Sequence, residues 1–128
     1  MKSIFAMALL VDDYDQAIEW YCDALGMTLL QDDASPDGHR FVKVATDKDA
    51  PFSLVLTKAD AAQKPFVGKQ AGEGVVLFLE TDDFWKDYEQ MKLKSVVFLE
   101  QPREEVYGTV AVFEDLYGNR WDLIQPSM

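Results

Sequence analysis

The same order of predicted elements occurs twice along this chain, and that repetition limits the possible folds more than any other feature. In each half an apolar strand precedes an amphipathic helix capped by Asp, and short strands follow the helix. The first half covers about residues 1–57 and the second about residues 74–128, joined by a linker at about 58–73. A βαβββ half is too small to bury its own apolar face, so we expect two such modules packed into a single domain, 1–128.

The two halves also match in sequence at nearly constant offsets. Matches of this kind predict two modules related by pseudo-twofold symmetry, because equivalent residues then occupy equivalent places in each module. The positions matched at an offset of 70 are Leu9, Val11, Asp12, Asp13, Tyr14 and Glu19 with Leu79, Thr81, Asp82, Asp83, Phe84 and Glu89. Val42 and Val44 match Val110 and Val112 at an offset of 68, and Leu54 and Leu56 match Trp121 and Leu123 at an offset of 67.

Composition narrows the possible partners. The 128 residues include 12 Lys+Arg and 23 Asp+Glu, a formal net charge of −11, and 48% of them are hydrophobic. The apolar fraction is sufficient for a core, whereas the negative charge repels phosphate backbones and anionic headgroups. We therefore expect no nucleic-acid or membrane partner. Cys22 is the single cysteine and has no intrachain partner, which predicts a reduced, cytoplasmic location.

Four sequence segments carry a resemblance to a known family. The last of them contains a turn in which Asp115 begins the reversal and Gly118 or Asn119 adopts a left-handed conformation. With the repeat, these segments resemble the vicinal oxygen chelate superfamily, which includes glyoxalases, extradiol dioxygenases, fosfomycin resistance enzymes and bleomycin resistance proteins. The segments are Val11 to Asp13 with Ala17, Trp20 and Tyr21, Leu25 to Met27, and residues 113–123.

The resemblance implies both a fold and a position for the functional site. The implied fold is α+β, with the two βαβββ modules forming a U-shaped mixed sheet around a concave cavity and the helices outside. Metal-using members carry ligands at four positions on the first and last strands of the halves, which here are Ala6, Val55, Val76 and Asp122. Three of these residues cannot bind a metal, and zinc or ferrous sites need three or four donors. We therefore expect neither a metal nor a cofactor.

Two other sources of metal ligands are weak in this sequence. His39 is the only histidine and lies beside a turn, so we expect it at the rim or in solvent rather than in a site. An all-carboxylate set would need Glu80 or Glu100 to join Asp122, and such a set binds Mg²⁺ or Mn²⁺ weakly. That alternative stays open.

Strand alternation predicts which residues share the cavity face with Asp122. We assign Val42, Val44, Val110 and Val112 to the opposite face, under the helices, which leaves a mostly apolar cavity with a few charged groups. Arg103 and Tyr107 come from a loop that borders the site in relatives. The predicted ligand-binding residues are Phe41, Lys43, Val55, Val76, Phe78, Glu80, Arg103, Tyr107, Phe113 and Asp122.

Asp122 is the residue on which the functional interpretation depends. A carboxylate among apolar neighbours pairs with Lys43 or Arg120, recognises a cationic ligand group, or acts as a general base. A purely structural carboxylate that ties strands together is an equally good interpretation. Catalytic roles fall to Asp122 and Tyr107 if the protein is an enzyme.

We therefore favour one function and keep another. The favoured function is metal-independent binding of a small, partly hydrophobic organic molecule, in the manner of bleomycin resistance proteins, and the acidity suits a cationic ligand. The alternative is a lyase, isomerase or dioxygenase of the same superfamily, with an unusual metal set or acid/base chemistry by Asp122. By analogy with relatives we also expect a homodimer.

Overall fold

The computed structural model describes residues 1–128 and has nine β-strands, two α-helices and one short 3-10 helix, Lys64–Phe66. The chain forms two compact units, Met1–Val67 and Gly68–Met128. The predicted α+β class is confirmed. The elements are β1 Ala6–Val11, α1 Tyr14–Ala24, β2 Thr28–Ala34, β3 Arg40–Ala45, β4 Ser53–Lys58, β5 Val75–Glu80, α2 Phe84–Leu93, β6 Val97–Phe98, β7 Arg103–Glu105, β8 Gly108–Glu114 and β9 Arg120–Pro126.

The first unit is a four-stranded sheet in the order β1-β4-β3-β2, covered on one face by α1. β1 runs parallel to β4, and the other neighbours are antiparallel. The side chain of Asp13 accepts a hydrogen bond of 2.8 Å from the backbone N–H of Gln16, so the predicted N-cap is confirmed. Gly26 ends the helix at φ 69°, a conformation that most side chains disfavour.

The core of the first unit lies between α1 and the sheet. Ala17 and Tyr21 on the inner side of α1 are fully buried, as are Leu9 and Leu56 in the sheet. This packing provides most of the stability of a short helix, because an isolated helix of 11 residues is marginal in water. Neither α-helix is long and apolar enough to cross a membrane.

The second unit repeats the topology with one additional strand. Its order is β5-β9-β8-β6, β5 and β9 are parallel, and β7 pairs with β8 beyond β6. Asp83 caps α2 as predicted. β7 was not predicted, because its sequence Arg-Glu-Glu has neither apolar residues nor alternation. A run of aromatic rings joins α2 to the sheet, from Tyr88 through Phe98 and Phe113 to Trp121, with neighbouring centroids 4.6 to 5.6 Å apart.

Strand register tests the offsets that were read from the sequence. Leu9 pairs with Leu56 in the first unit, and Leu79 pairs with Leu123 in the second, so the offsets of 70 and 67 place equivalent residues side by side. The offset of 68 is wrong for the third strand of each unit. Val42 pairs with Leu56, whereas the residue that pairs with Leu123 is Ala111, an offset of 69.

Candidate functional site

Asp122 lies on the face of the second sheet that points away from α2. Phe78 on β5 and Val112 on β8 flank it in register, and Ile124 follows it on the same side of β9. We call these four residues the Asp122 face. Phe78 is 69% exposed, whereas the Oδ1 atom of Asp122 is buried and accepts no hydrogen bond. A buried carboxylate oxygen without a partner therefore sits beside an accessible aromatic ring.

Burial dominates the electrostatics of this carboxylate. Desolvation raises the pKa of Asp122, the positive charge of Arg103 lowers it, and the negative charge of Glu100 raises it further. The pairing with Arg120 that the sequence suggested is absent. Arg120 instead donates to the backbone oxygen of Glu73 at 2.7 Å, and its other terminal nitrogen lies 3.3 Å from the Glu73 carboxylate. Asp122 thus has no charged partner that balances its desolvation.

Arg103 is held by a cluster of its own neighbours. Its Nε donates to Glu100 Oε2 at 3.0 Å, its Nη1 donates to Glu105 Oε1 at 2.7 Å, and the Tyr107 hydroxyl also bonds the guanidinium. These contacts raise the pKa of Arg103. We call Glu100, Arg103, Glu105 and Tyr107 the Arg103 cluster. Because two carboxylates already bind the guanidinium, little of its positive charge remains for a ligand.

The sequence-predicted residues of the first unit share one sheet face. Lys43 on β3 pairs with Val55 on β4, and Phe41 lies two positions from Lys43 and is therefore on the same side. The Lys43 ammonium is 5.8 Å from the centroid of the Phe5 ring, and Phe41 is 45% exposed. The register places Gln31 and Asp33 of β2 beside Lys43 and Phe41, so this face carries polar and acidic groups as well as apolar ones.

The prediction that Phe113 lies on the same face as Asp122 is wrong. Phe113 is fully buried, pairs with Trp121 across β8 and β9, and stacks on it with ring centroids 5.6 Å apart. The place expected for Phe113 is taken by Val112. The predicted turn at 115–119 contained the missing signal, since a turn with those limits pairs Glu114 with Arg120 and so sets Phe113 beside Trp121.

Three further predicted residues, Glu80, Val76 and Tyr107, lie in the second unit but do not pair with Asp122. Glu80 pairs with Ile124 and is exposed on the same sheet face. Val76 lies where the register between β5 and β9 shifts and has no paired residue. Tyr107 is 54% exposed and its hydroxyl bonds Arg103, so the structure does not bring it into contact with Asp122.

The residues do not fit the metal that the fold family implies. The four inherited positions include Ala6, Val55 and Val76, whose side chains have no donor atoms. Nowhere in residues 1–128 do three His, Cys, Asp or Glu side chains come together as a possible metal site. His39 lies on an exposed turn, with its Nδ1 3.1 Å from Asp37 Oδ2.

A groove of about 510 Å³ lies in the second unit between α2 and residues 96–101. Tyr88, Lys92 and Phe98 contribute to its lining, as does Glu100. Glu100, named above only for an all-carboxylate metal set, lines the groove, and none of the predicted ligand-binding residues does. Glu100 therefore borders this groove and also belongs to the Arg103 cluster.

Comparison with known proteins assigns the family. The family model described as the Glyoxalase/Bleomycin resistance protein/Dioxygenase superfamily matches residues 3–123. The chain belongs to this superfamily, in agreement with the resemblance seen in its sequence.

The chain is similar along nearly its whole length to other protein sequences and to solved structures. The chain is 48% identical over 126 residues to an uncharacterized protein of Shewanella frigidimarina, covering 97% of this chain and 93% of that one. It is 28% identical over 121 residues to a probable lactoylglutathione lyase of Synechocystis, covering 91% and 90%. Among solved structures, TnmS3, an antibiotic binding protein from Streptomyces sp. CB03234, is 28% identical with a TM-score of 0.79, covering 99% and 98%.

Proposed function

We propose that this protein binds a small, partly hydrophobic organic molecule with a cationic group, and that it does so without a metal. The observation that carries the proposal is the buried, unpartnered Oδ1 of Asp122 beside the exposed ring of Phe78. A largely apolar surface with a small number of placed polar groups is the usual composition of a small-molecule site. The similarity to an antibiotic binding protein supports a binding role.

The physical reason concerns the missing hydrogen bond. A buried acceptor without a partner costs on the order of 1–3 kcal/mol relative to the same group in water. A ligand that brings an N–H donor with positive charge removes that cost and adds a charge-assisted bond. The net charge of −11 adds a favourable long-range attraction for cations.

The donor set supports independence from metal. With Ala6, Val55 and Val76 at the inherited positions, Asp122 is the one remaining donor of that group. A single carboxylate does not hold a transition metal against water, so the proposed site recognises its ligand by charge and apolar contact.

Calorimetric titration with three matched probes tests the proposal. Naphthylmethylammonium, naphthylmethanol and naphthylacetate share a ring system and differ in charge. We expect the cation to bind about tenfold or more tightly than the alcohol, because a hydrogen bond to a charged group corresponds to about that ratio of affinities. The anion should bind weakest. Dialysis against EDTA should leave the affinities unchanged.

Two variants make this test specific. Asp122→Asn should bring the cation and the alcohol to similar affinities, because the negative charge is lost while the shape is kept. Glu114→Gln removes the same charge from β8, where Glu114 pairs with Arg120 rather than with Asp122, and should leave the preference intact. If no probe binds saturably, or if the cation preference survives Asp122→Asn, the proposal is wrong.

An enzymatic function is the second candidate, because burial raises the pKa of Asp122 and one relative is a probable lactoylglutathione lyase. A carboxylate with a raised pKa is a better general base near neutral pH than an ordinary one. Lactoylglutathione lyase activity that is lost in Asp122→Asn, together with stoichiometric metal after mild purification, would favour the enzyme over the binding protein.

A further inference from the structure

We propose that the Arg103 cluster sets the charge selectivity of the Asp122 face by holding Arg103 away from Asp122. This inference rests on the proposed function, since it explains why the face accepts a cation. Glu105 thereby becomes a specificity-determining residue, although it makes no contact with Asp122 itself.

The strand register places Arg103 within reach of Asp122. Arg103 on β7 pairs with Val110 on β8, and Asp122 on β9 pairs with Val112, two positions further along β8. Side chains two positions apart on a strand point to the same side. A long arginine side chain on this face can extend across β8 toward Asp122, yet the two residues form no ion pair.

The cluster explains why that ion pair is absent. Two nitrogens of Arg103 donate to Glu100 and Glu105, at 3.0 and 2.7 Å. Glu100 is itself fixed, because its Oε2 also accepts a hydrogen bond of 3.2 Å from the backbone N–H of Val112 on β8. Glu100 lies in the segment between β6 and β7, the two strands that pair with β8 on this side. Charge-assisted bonds of this length are among the stronger ones in proteins.

Charge balance gives the consequence for ligands. The cluster contains one positive and two negative groups, so it presents no net positive charge to the Asp122 face. If Arg103 were free it would neutralise Asp122 and the face would then favour neutral or anionic ligands. The Glu105 carboxylate accepts a hydrogen bond only from the terminal Nη1 and makes none to the backbone, so Glu105 is the better residue to remove.

The first test uses the ligand-free protein, which separates it from the proposed function. The titration of the Asp122 carboxyl is followed by carbon NMR in wild type and in Glu105→Gln. Freed from Glu105, Nη1 should approach Asp122 and lower its pKa. In an Arg103→Gln background the same Glu105→Gln change should not lower the Asp122 pKa in this way, because no guanidinium is left to approach the carboxylate. This double-variant cycle isolates the contribution of the guanidinium.

The matched control is Glu104→Gln. Glu104 is the neighbouring residue on β7, carries the same charge, and accepts a bond of 2.9 Å from the Thr109 hydroxyl without contacting Arg103. It should leave the Asp122 titration as in wild type. An unchanged titration in Glu105→Gln, or an equal change in Glu104→Gln, would overturn the proposal.

The second test measures selectivity with the same naphthyl probes. Glu105→Gln should lower the affinity for naphthylmethylammonium by about fivefold or more, which is the effect expected of a partly buried ion pair. The same variant should raise the affinity for naphthylacetate. Glu104→Gln should change neither. A shifted Asp122 titration with unchanged probe affinities would overturn the selectivity role, and an absence of binding to wild type would overturn the proposed function as well.

Discussion

At the scale of single residues, the charge of Asp122 should destabilise the folded protein at neutral pH, and protonation in acid should remove that cost. Burial raises the pKa of Asp122 above the ordinary value of an aspartate, so the ionised form is less favourable in the folded than in the unfolded chain. This cost is fully present above the folded-state pKa. As pH falls through that pKa the folded protein takes up the proton first, and below the unfolded pKa the cost is gone.

The variant Asp122→Val tests this linkage, since Val55 occupies the equivalent position of the first unit. Its melting temperature should exceed that of wild type at neutral pH, and the pH-dependent part of the difference should shrink as the pH approaches 4. Glu114→Gln serves as the comparison and should not reproduce this dependence. A constant difference across the whole range would mean that the Asp122 charge is not destabilising.

At the scale of elements, the turn between β8 and β9 depends on one side chain. Asp115 is buried and accepts hydrogen bonds from the backbone N–H groups of Tyr117 and Asn119 at 3.1 and 3.0 Å. It also accepts from the Asn119 amide and the Trp121 indole, both at 3.0 Å. The sequence predicted Asp115 at the start of the turn, and Gly118 takes the left-handed conformation at φ 96°.

Asp115→Ala should therefore lower the free energy of unfolding by about 3 kcal/mol or more, because several buried donors lose their acceptor together. Urea denaturation measures the loss. Asp47→Ala is the matched control, since Asp47 accepts a backbone bond of 2.7 Å in an exposed turn of the first unit and its loss should cost about 1 kcal/mol or less. Equal costs for the two variants would contradict this account of the turn.

The orientation of side chains along β8 is the part of the fold that could not be predicted from the sequence. Helix caps, the βαβββ order and the α+β class followed from local patterns, because Asp13, Asp83 and Gly26 act through their own neighbours. β8 was harder, because it is apolar on both faces, so alternation does not distinguish them. A shift of one residue in the assumed repeat then moved Phe113 to the wrong side.

The site was predicted less completely than the fold for a related reason. Asp122 stood out because a charge in an apolar strand is rare. The Arg103 cluster did not, because the residues that hold Arg103 are exposed charges whose partners depend on how residues 99–105 leave and rejoin β8. The absence of an ion pair to Asp122 could not be read from spacing, since Arg120 is closer in sequence and binds Glu73 instead.

At the scale of the whole molecule, charge and apolar surface act in opposite directions on self-association. The homodimer stays a prediction made by analogy with relatives. Exposed apolar side chains at the end of α2, in β6 and directly after it, namely Leu93, Val97 and Leu99, favour association because burying them releases water. Two copies that each carry a charge of −11 repel one another.

This opposition predicts a salt dependence. At an ionic strength of roughly 0.15 M the screening length is about 8 Å, and it is longer at lower salt, so the repulsion should weaken as salt is added. Sedimentation velocity at micromolar protein should show a dimer whose dissociation constant falls as NaCl rises. Leu93→Glu should weaken the dimer if the surface named above forms the interface, whereas Val106→Glu, at another exposed position, should not. A monomer at every salt concentration would contradict the homodimer and leave the Asp122 face unaffected.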